Sequence, residues 1–423
     1  MSPQICLFED NYFSRFLPLV YFRPVYDLKC GGLSLKEKIQ RRYRSPRLAL
    51  HCRSYLADFV RHRNPRTDVN KFSGGECLFI NGRVIADENF VRNVALKGPS
   101  DIVYMSGKDV VAARVSEEVL TRWNNKLPEV FSSVDFEGIA KKEVDAVTVK
   151  YPWDLIHHNA AQLRADWALL SVPSKGKKIS GKISAGVHLI NKKNIMIGSG
   201  SLVKPGVVID AENGPVYIGN NVTVLPQSTI IGPVYIGDGS IIRVGAKIYE
   251  DTAIGPMCKI GGEVEASIIH GYSNKQHDGF LGHSYLGEWV NLGAGTTNSD
   301  LKNNYSSVRV VINGESVDSG SLFVGATIGD HTKTAINTVL NTGTVVGVSC
   351  NVFGEGVPPK FIPSFSWGGS GEASAVYDVA RAAEVAKRVM SRRKVSFSDV
   401  DAALFEKIFE LAKSDRRHVD ARH

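Results

Sequence analysis

Aliphatic residues recur at every sixth position over long stretches of the second half of the chain. The first run comprises Ile218, Val224, Ile230, Ile236, Ile242, Ile248, Ile254 and Ile260. A second run comprises Leu322, Ile328, Thr334, Leu340, Val346 and Val352. An α-helix does not produce this period, because six steps of about 100° leave successive side chains about 240° apart. One long strand does not produce it either, since strands run roughly 3–10 residues.

The six-residue period instead predicts short strands stacked between tight bends, each with one aliphatic side chain pointing inward. This is the hexapeptide type of parallel β-helix, in which neighbouring coils bury each other's aliphatic side chains. A β-sandwich is the alternative, but it would show period-two alternation with irregular turn spacing. The pattern therefore favours the β-helix.

The first 150 residues show a different pattern. Strand-like apolar runs at residues 5–8, 77–80 and 146–149 alternate with helical patterns at 35–43 and 116–126. That alternation predicts a small α/β domain over residues 1–150.

Three further segments are predicted after this domain. They are a linker helix at 151–179, the β-helix at 180–357 and a helical extension at 358–423. The linker helix should begin at Pro152, because proline is favoured at helix starts. The extension should hold two helices, near 372–393 and 399–413.

Composition narrows the possible partners. The net charge is +8 over 423 residues. No Lys/Arg run dominates, so nucleic-acid binding is not expected. The modest positive charge is compatible with binding of anionic metabolites. The six cysteines are scattered without a CxxC pair, which predicts neither zinc nor a disulfide frame and favours a reducing, cytoplasmic location. No apolar run reaches the length of a membrane span.

The repeat is interrupted twice, near 268–282 and 297–320, and such interruptions often hold functional residues. Residues 282–287 are Gly-His-Ser-Tyr-Leu-Gly, residues 291–296 are Asn-Leu-Gly-Ala-Gly-Thr, and residues 323–325 are Phe-Val-Gly. These phrases resemble the acetyltransferase site of bifunctional N-acetylglucosamine-1-phosphate uridyltransferases. Residues 14–19, followed by Arg23-Pro24, resemble the start of sugar-nucleotidyltransferase domains. More closely, the chain resembles the Bacteroidetes-type branch of sugar nucleotidyltransferases.

This resemblance implies a left-handed β-helix, a homotrimer and acetyl-CoA as co-substrate. It also implies that the N-terminal domain is a reduced, Rossmann-like nucleotidyltransferase. Histidine suits a general base, with an ordinary pKa of about 6.5. His283 is the predicted base, with His277 as the alternative. The predicted substrate contacts are Tyr285, Asn291, Asp300, Lys302 and Arg309, and the predicted acetyl-CoA contacts are Gly325 and Ala326. Alternatively, Asn291 has only a structural role, as part of an asparagine ladder in the β-helix.

The N-terminal domain departs from the family pattern. Its phosphate loop, Gly-x-Gly-Thr-Arg in the family, contains Phe13 here, which prevents the close approach that glycine allows. Val25 occupies the position of a family lysine, and Arg83 occupies the position of the metal-binding aspartate. Mg²⁺ needs oxygen ligands, and the arginine side chain supplies none. A degenerate nucleotide site with Arg15, Arg23 and Asn81 is therefore predicted, without a metal. Mg²⁺ is expected only if nucleotidyltransferase activity is retained.

The sequence thus predicts an acetyl-CoA-dependent N-acetyltransferase. Its substrate would be a hexosamine phosphate such as glucosamine-1-phosphate, in nucleotide-sugar and cell-envelope biosynthesis. Two alternatives stay open: a sugar-1-phosphate nucleotidyltransferase, and a non-catalytic protein of nucleotide-sugar binding or assembly. The expected partners are a sugar phosphate, coenzyme A and further copies of the chain.

Overall fold

A computed structural model describes residues 4–44, 47–72, 75–125, 127–171, 178–369 and 375–420. The N-terminal part is an α/β domain around one seven-stranded sheet. Its strands are β1 Gln4–Phe8, β2 Leu48–Leu50, β3 Asp68–Val69, β4 Cys77–Asn81, β5 Ile102–Ser106, β6 Asp109–Val115 and β7 Ala140–Glu143. Its helices are α1 Leu35–Tyr43, α2 Ala57–Arg63, α3 Glu88–Asn93 and α4 Glu117–Asn125.

The sheet order is β3-β2-β1-β4-β6-β5-β7, with β1 parallel to β2 and β4, and β6 antiparallel to its neighbours. Helix α1 has the predicted bounds, because Ser34 and Glu37 close a capping box at its start. The predicted strand at 146–149 is wrong. Only one bridge forms there, between Val84 and Thr148.

Two helices link this domain to the repeats, where the sequence predicted one. They are α5 Pro152–His157 and α6 Asn159–Ser171. Leu155, Ile156 and Leu163 are buried against side chains of the repeats, including Ala253 and Ile268. The linker is therefore packed on the β-helix.

The repeats form a parallel β-helix with three main stacked sheets. The first sheet contains Ile195–Ile197, Val216–Ile218, Val234–Ile236, Thr252–Ile254, Ile268–Gly271, Tyr285–Glu288, Thr327–Ile328, Val345–Val346 and Phe361–Ile362. The second contains Lys182–Ile183, Leu202–Val203, Thr223–Val224, Ile241–Ile242, Lys259–Ile260 and Asn274–Lys275. The third contains His188–Ile190, Val208–Asp210, Thr229–Ile231, Lys247–Ile248, Glu263–Glu265 and Phe280–Gly282. The stack agrees with the predicted left-handed β-helix.

Shorter sheets continue the second and third faces. Their strands are Thr297–Asn298, Val339–Leu340, Lys333–Thr334, Asn351–Val352, Ser366–Trp367 and Ala375–Val376. An antiparallel hairpin, Arg309–Ile312 and Glu315–Asp318, projects from the second interruption.

The first aliphatic run is confirmed, because all eight residues are fully buried in one core. The second run starts later than predicted: Leu322 is 44% exposed, and the ladder resumes at Ile328. The second interruption explains the error, since Leu322 still belongs to the loop that returns from the hairpin.

The C-terminal helices are α7 Val379–Ser391, α8 Asp399–Leu411 and α9 Lys413–Asp420. The predicted helix start at residue 372 lies outside the described residues. The division of the chain at residues 150, 179 and 357 stays a prediction. Among the described helices, none combines the length and the apolarity needed to cross a bilayer.

Candidate functional site

His283 lies in the turn between the strands Phe280–Gly282 and Tyr285–Glu288. Its φ is +44°, a left-handed conformation that is uncommon for residues other than glycine. Two backbone bonds hold it there: its N–H donates to the Glu265 carbonyl at 3.2 Å, and its carbonyl accepts from Gly325 N at 2.9 Å. The histidine is thus fixed at a corner of the β-helix.

Asp300 orients the His283 ring. Nδ1 of His283 lies 2.8 Å from Oδ2 of Asp300, and both side chains are mostly buried. An ionised carboxylate can only accept, so Nδ1 carries the proton and the neutral ring keeps a lone pair on Nε2. Nε2 has no hydrogen-bond partner among the described residues. The pair can therefore present an oriented base.

Asn298 fixes the strand end immediately before His283. Its amide Nδ2 donates to the Gly282 carbonyl, and its Oδ1 accepts from Gly282 N, both at 3.0 Å. The Phe323 ring covers one side of the His283 ring, at 4.9 Å between centroids and 23° between planes. Sequence analysis missed Asn298, although a buried asparagine on a repeat strand is an available signal.

Carboxylates surround the same corner. Burial raises the pKa of Glu265, with Asp300 among the nearby charges that add to the rise, while His283 opposes it. Burial also raises the pKa of Asp251, against the influence of Arg164 and His283. An acidic environment of this kind favours a cationic or amino group over a phosphate.

Two predicted contacts are corrected by burial. Tyr285 is fully buried, and its hydroxyl accepts from Lys29 N at 2.8 Å, so it faces the N-terminal domain rather than a substrate. Ala326 lies in the β-helix core, and its N–H donates to Ser284 Oγ at 2.9 Å. Ala326 therefore has neither a side chain nor an N–H group to offer acetyl-CoA. Gly325 donates its N–H to His283 and acts as a support for the turn.

Apart from Asp300 and Gly325, no predicted site residue hydrogen-bonds to His283 in the described part of the chain. Asn291 accepts from Asn274 Nδ2 at 3.2 Å, which favours the asparagine-ladder alternative. Lys302 donates to the Ser307 carbonyl at 2.5 Å. Arg309 donates to Ser316 within the hairpin. His277 is exposed in a neighbouring turn.

In the N-terminal domain, Arg83 fills the position expected for a metal ligand. It is 1% exposed, and its guanidinium binds Asp10 at 2.6 Å and Asp109 at 3.1 Å. Asn81 donates to the same Asp10 carboxylate at 2.8 Å. The adjoining cavity measures about 80 Å³, below the roughly 300–1,000 Å³ typical of ligand pockets.

Mg²⁺ does not fit these residues. The ion needs oxygen ligands in near-octahedral array, whereas both oxygens of Asp10 already bind Arg83. In the described part of the chain, no group of three or more His, Cys, Asp or Glu residues is arranged to hold a metal. Arg15 stacks on Tyr12 at 4.3 Å, and Arg23 lies elsewhere, in a buried pair with Asp330.

Comparison with known proteins gives separate matches for the N-terminal domain and for the β-helix. Residues 5–174 match the sugar nucleotidyl transferase family, and residues 215–250 match the bacterial transferase hexapeptide (six repeats) family. Over part of its length, the chain is similar to bifunctional GlmU proteins. The bifunctional protein GlmU of Rippkaea orientalis is 34% identical over 139 residues, which cover 32% of this chain and 29% of that protein.

Two further relatives show similarly partial matches. The bifunctional sugar-1-phosphate nucleotidylyltransferase/acetyltransferase of Sulfurisphaera tokodaii is 34% identical over 117 residues, 28% of each protein. The GlmU of Synechococcus elongatus is 28% identical over 200 residues, which cover 42% of this chain and 40% of that protein. The chain thus spans less than half the length of these relatives.

Solved structures are more distant. A UDP-N-acetylglucosamine acyltransferase is 17% identical with a TM-score of 0.31, covering 53% of this chain and 80% of that one. The Francisella novicida UDP-N-acetylglucosamine acyltransferase is 17% identical with a TM-score of 0.29, covering 57% and 87%. At such low scores the likeness adds nothing to the fold described above.

Proposed function

We propose that the chain transfers an acetyl group from acetyl-CoA to the amino group of a hexosamine phosphate, with His283 as the general base. The main support is the 2.8 Å contact between His283 Nδ1 and Asp300, which leaves Nε2 free to accept a proton. The carboxylates at the same corner support an amine rather than a hydroxyl acceptor, because they attract a substrate ammonium group. The bifunctional nucleotidylyltransferase/acetyltransferase relatives support the same chemistry.

The reaction follows from this arrangement. The bound ammonium group first loses one proton to solvent. The resulting amine nitrogen attacks the thioester carbonyl carbon, a C–N bond forms and the C–S bond breaks. The proton lost from nitrogen passes to Nε2 of His283 and then to the departing coenzyme A thiolate. Asp300 keeps Nδ1 protonated and stabilises the imidazolium that forms between these two steps.

We further propose a homotrimer in the cytoplasm. Val244 and Ile336 are 60% and 71% exposed at corresponding turns of the β-helix, which supports self-association through that corner. The six cysteines are all buried and unpaired, as suits a reducing compartment.

For the N-terminal domain, we infer that metal-dependent nucleotidyl transfer has been lost. Arg83 supports this inference, because it neutralises the two carboxylates nearest to it. The rival function, sugar-1-phosphate nucleotidyl transfer, has the family match over residues 5–174 in its favour. Non-catalytic binding is the other rival.

The test is release of free thiol from acetyl-CoA in the presence of glucosamine-1-phosphate, glucosamine-6-phosphate or galactosamine-1-phosphate. We expect thiol release with at least one acceptor and none without. Asp300→Asn should lower the rate roughly tenfold or more, because the imidazolium loses its counter-charge. His188→Ala, a change of an exposed histidine on another strand, is the control. A wild-type protein inactive towards all three acceptors would contradict the proposal.

A further inference from the structure

A cavity of about 270 Å³ lies between the N-terminal domain and the β-helix. Its lining includes Lys29, Lys36 and Arg63 from the first and His270 and Glu288 from the second, and we call it the interdomain cavity. Its volume is just below the roughly 300–1,000 Å³ of sites for drug-sized molecules, so it suits a smaller ligand. The reaction proposed above uses none of these side chains.

His270 is a buried acceptor on the cavity wall. Its Nε2 lies 3.0 Å from the Asp27 carbonyl, which can only accept, so Nε2 carries the proton. Burial lowers the pKa of His270, with Arg23 as a further cause, so the ring is neutral near pH 7 and Nδ1 keeps its lone pair.

Nδ1 of His270 has no hydrogen bond within the described structure. Its nearest charged neighbour is Oε1 of Glu288 at 3.5 Å, and the pKa of Glu288 is held well below its usual range despite burial, with Arg63 and Arg23 as the main causes. A neutral Nδ1 and a carboxylate are both acceptors. Two buried acceptors side by side call for a donor, such as a ligand hydroxyl group, to bond with them.

The same cavity also has a cation whose ammonium group makes no hydrogen bond or close ion pair in the described structure. Lys36 pairs with Asp27 at 2.6 Å, and Arg63 pairs with Glu288 at 3.3 Å. Glu37 accepts from Ser34 N in the cap of α1, and against the effect of burial the charge of Lys29 helps to lower the pKa of Glu37. Lys29 Nζ makes no hydrogen bond or ion pair with any described residue, although its backbone is held by the Tyr285 hydroxyl. An anion can therefore bind Lys29 Nζ without breaking an existing hydrogen bond or close ion pair.

We propose that the interdomain cavity binds a small anion that carries hydroxyl groups, a sugar phosphate in chemical class. The phosphate would lie against Lys29, and a hydroxyl group would donate to His270 Nδ1 or Glu288. Because both halves of the chain line the cavity, the ligand would stabilise their contact.

The test is calorimetric titration and thermal unfolding of the full chain with glucose 6-phosphate, inorganic phosphate and glucose. Glucose 6-phosphate should bind at least about tenfold more tightly than phosphate and should raise the Tm. Glucose alone should show no measurable binding. Lys29→Met should weaken glucose 6-phosphate binding at least about tenfold, and Lys29→Arg should largely retain it. Lys182→Met, an exposed lysine on the β-helix, should behave like the wild type.

His283→Ala separates this cavity from the proposed acyl-transfer site. The variant should bind glucose 6-phosphate as the wild type does. Loss of binding in His283→Ala would place the sugar phosphate at the acyl-transfer site and overturn the inference. Unchanged binding in Lys29→Met, or no binding of any probe to the wild type, would also overturn it. If Lys29→Met is unstable without ligand, Lys29→Gln is the replacement.

Discussion

The carbonyl of Phe323 lies 3.3 Å from Nε2 of His157, so the linker helix α5 holds the loop whose aromatic ring stacks on His283. Ser321 Oγ lies 3.1 Å from the same nitrogen. Trp153 of α5 packs against Val308 in the core beneath the adjoining hairpin. The linker thus supports one wall of the candidate site.

His157 should therefore act as a positioning residue for acetyl transfer. His157→Ala should lower kcat roughly twofold to tenfold with a smaller change in KM for acetyl-CoA, because the exposed contacts of Nε2 with the Phe323 carbonyl and with Ser321 are lost. His157→Gln, which keeps an N–H donor, should recover most of the rate. His62→Ala, an exposed histidine on α2, is the matched control. Equal kcat in His157→Ala and His62→Ala would show that the loop needs no support from α5.

Arg83 leads to a prediction for the N-terminal domain. Incubation with UTP or dTTP, a sugar-1-phosphate and Mg²⁺ should release pyrophosphate only at the background rate, because Asp10 and Asp109 are already paired with arginine. Coupled phosphate detection measures this release. Robust, Mg²⁺-dependent turnover would mean that another set of residues performs the reaction.

Arg83 should also matter for stability. Arg83→Ala should lower the free energy of unfolding by roughly 3–5 kcal/mol, since it leaves two mostly buried carboxylates without a partner. Urea unfolding gives this difference. Arg61→Ala, which breaks a largely exposed pair with Asp58, is the control and should cost about 1 kcal/mol or less.

The aliphatic ladder leads to a second stability prediction. Ile242 is fully buried in mid-ladder, so Ile242→Ala should cost roughly 2–5 kcal/mol through the cavity it leaves. Ile242→Asp should prevent folding, because the charge would be buried without a partner. Val134→Ala, a change at a 64% exposed position of the N-terminal domain, should stay within about 0.5 kcal/mol. An Ile242→Asp protein with an unchanged Tm would refute the register.

The ladder was predictable because its period is a local property of the sequence. The orientation of Tyr285 was not, because it depends on Lys29, which lies 256 residues away. The same holds for His157, whose partner Phe323 is 166 residues away. Lys275 is a further case. It takes an interior position next to Ile260, where its Nζ donates to the Gly261 and His277 carbonyls.

His51 leads to a prediction about how the stability of the fold depends on pH. Burial lowers its pKa to about 4, against the smaller effects of the Pro128 carbonyl, Glu129 and Asp135. In the unfolded chain the pKa is about 6.5, so between those values the unfolded state binds more protons. The stability that neutral His51 provides is present above about pH 6.5, and it is lost as the pH falls towards 4. The loss should reach roughly 3 kcal/mol.

Urea unfolding of wild type and His51→Leu at pH 7 and pH 4.5 measures this effect. The variant should be the less stable protein at pH 7, because the Pro128 carbonyl loses its donor. The difference should shrink at pH 4.5, since leucine cannot take up a proton. The other buried histidines take up protons in both proteins, so their contributions cancel in the stability difference. An equal difference at both pH values would contradict the role assigned to His51.

The identity of the base leads to the final prediction. His283→Ala should lower kcat for acetyl transfer roughly 10²–10⁴-fold, because the variant lacks the Nε2 lone pair that is proposed to accept the amine proton. Acetyl-CoA should still bind, as calorimetry can show, since the base does not hold the donor. His277→Ala should change kcat little, because His277 is exposed and has no carboxylate partner like Asp300. A large loss in His277→Ala with a near-normal His283→Ala would move the base into the first interruption. Near-normal rates in both would mean that solvent deprotonates the amine, and that the site acts by positioning its substrates and stabilising the oxyanion.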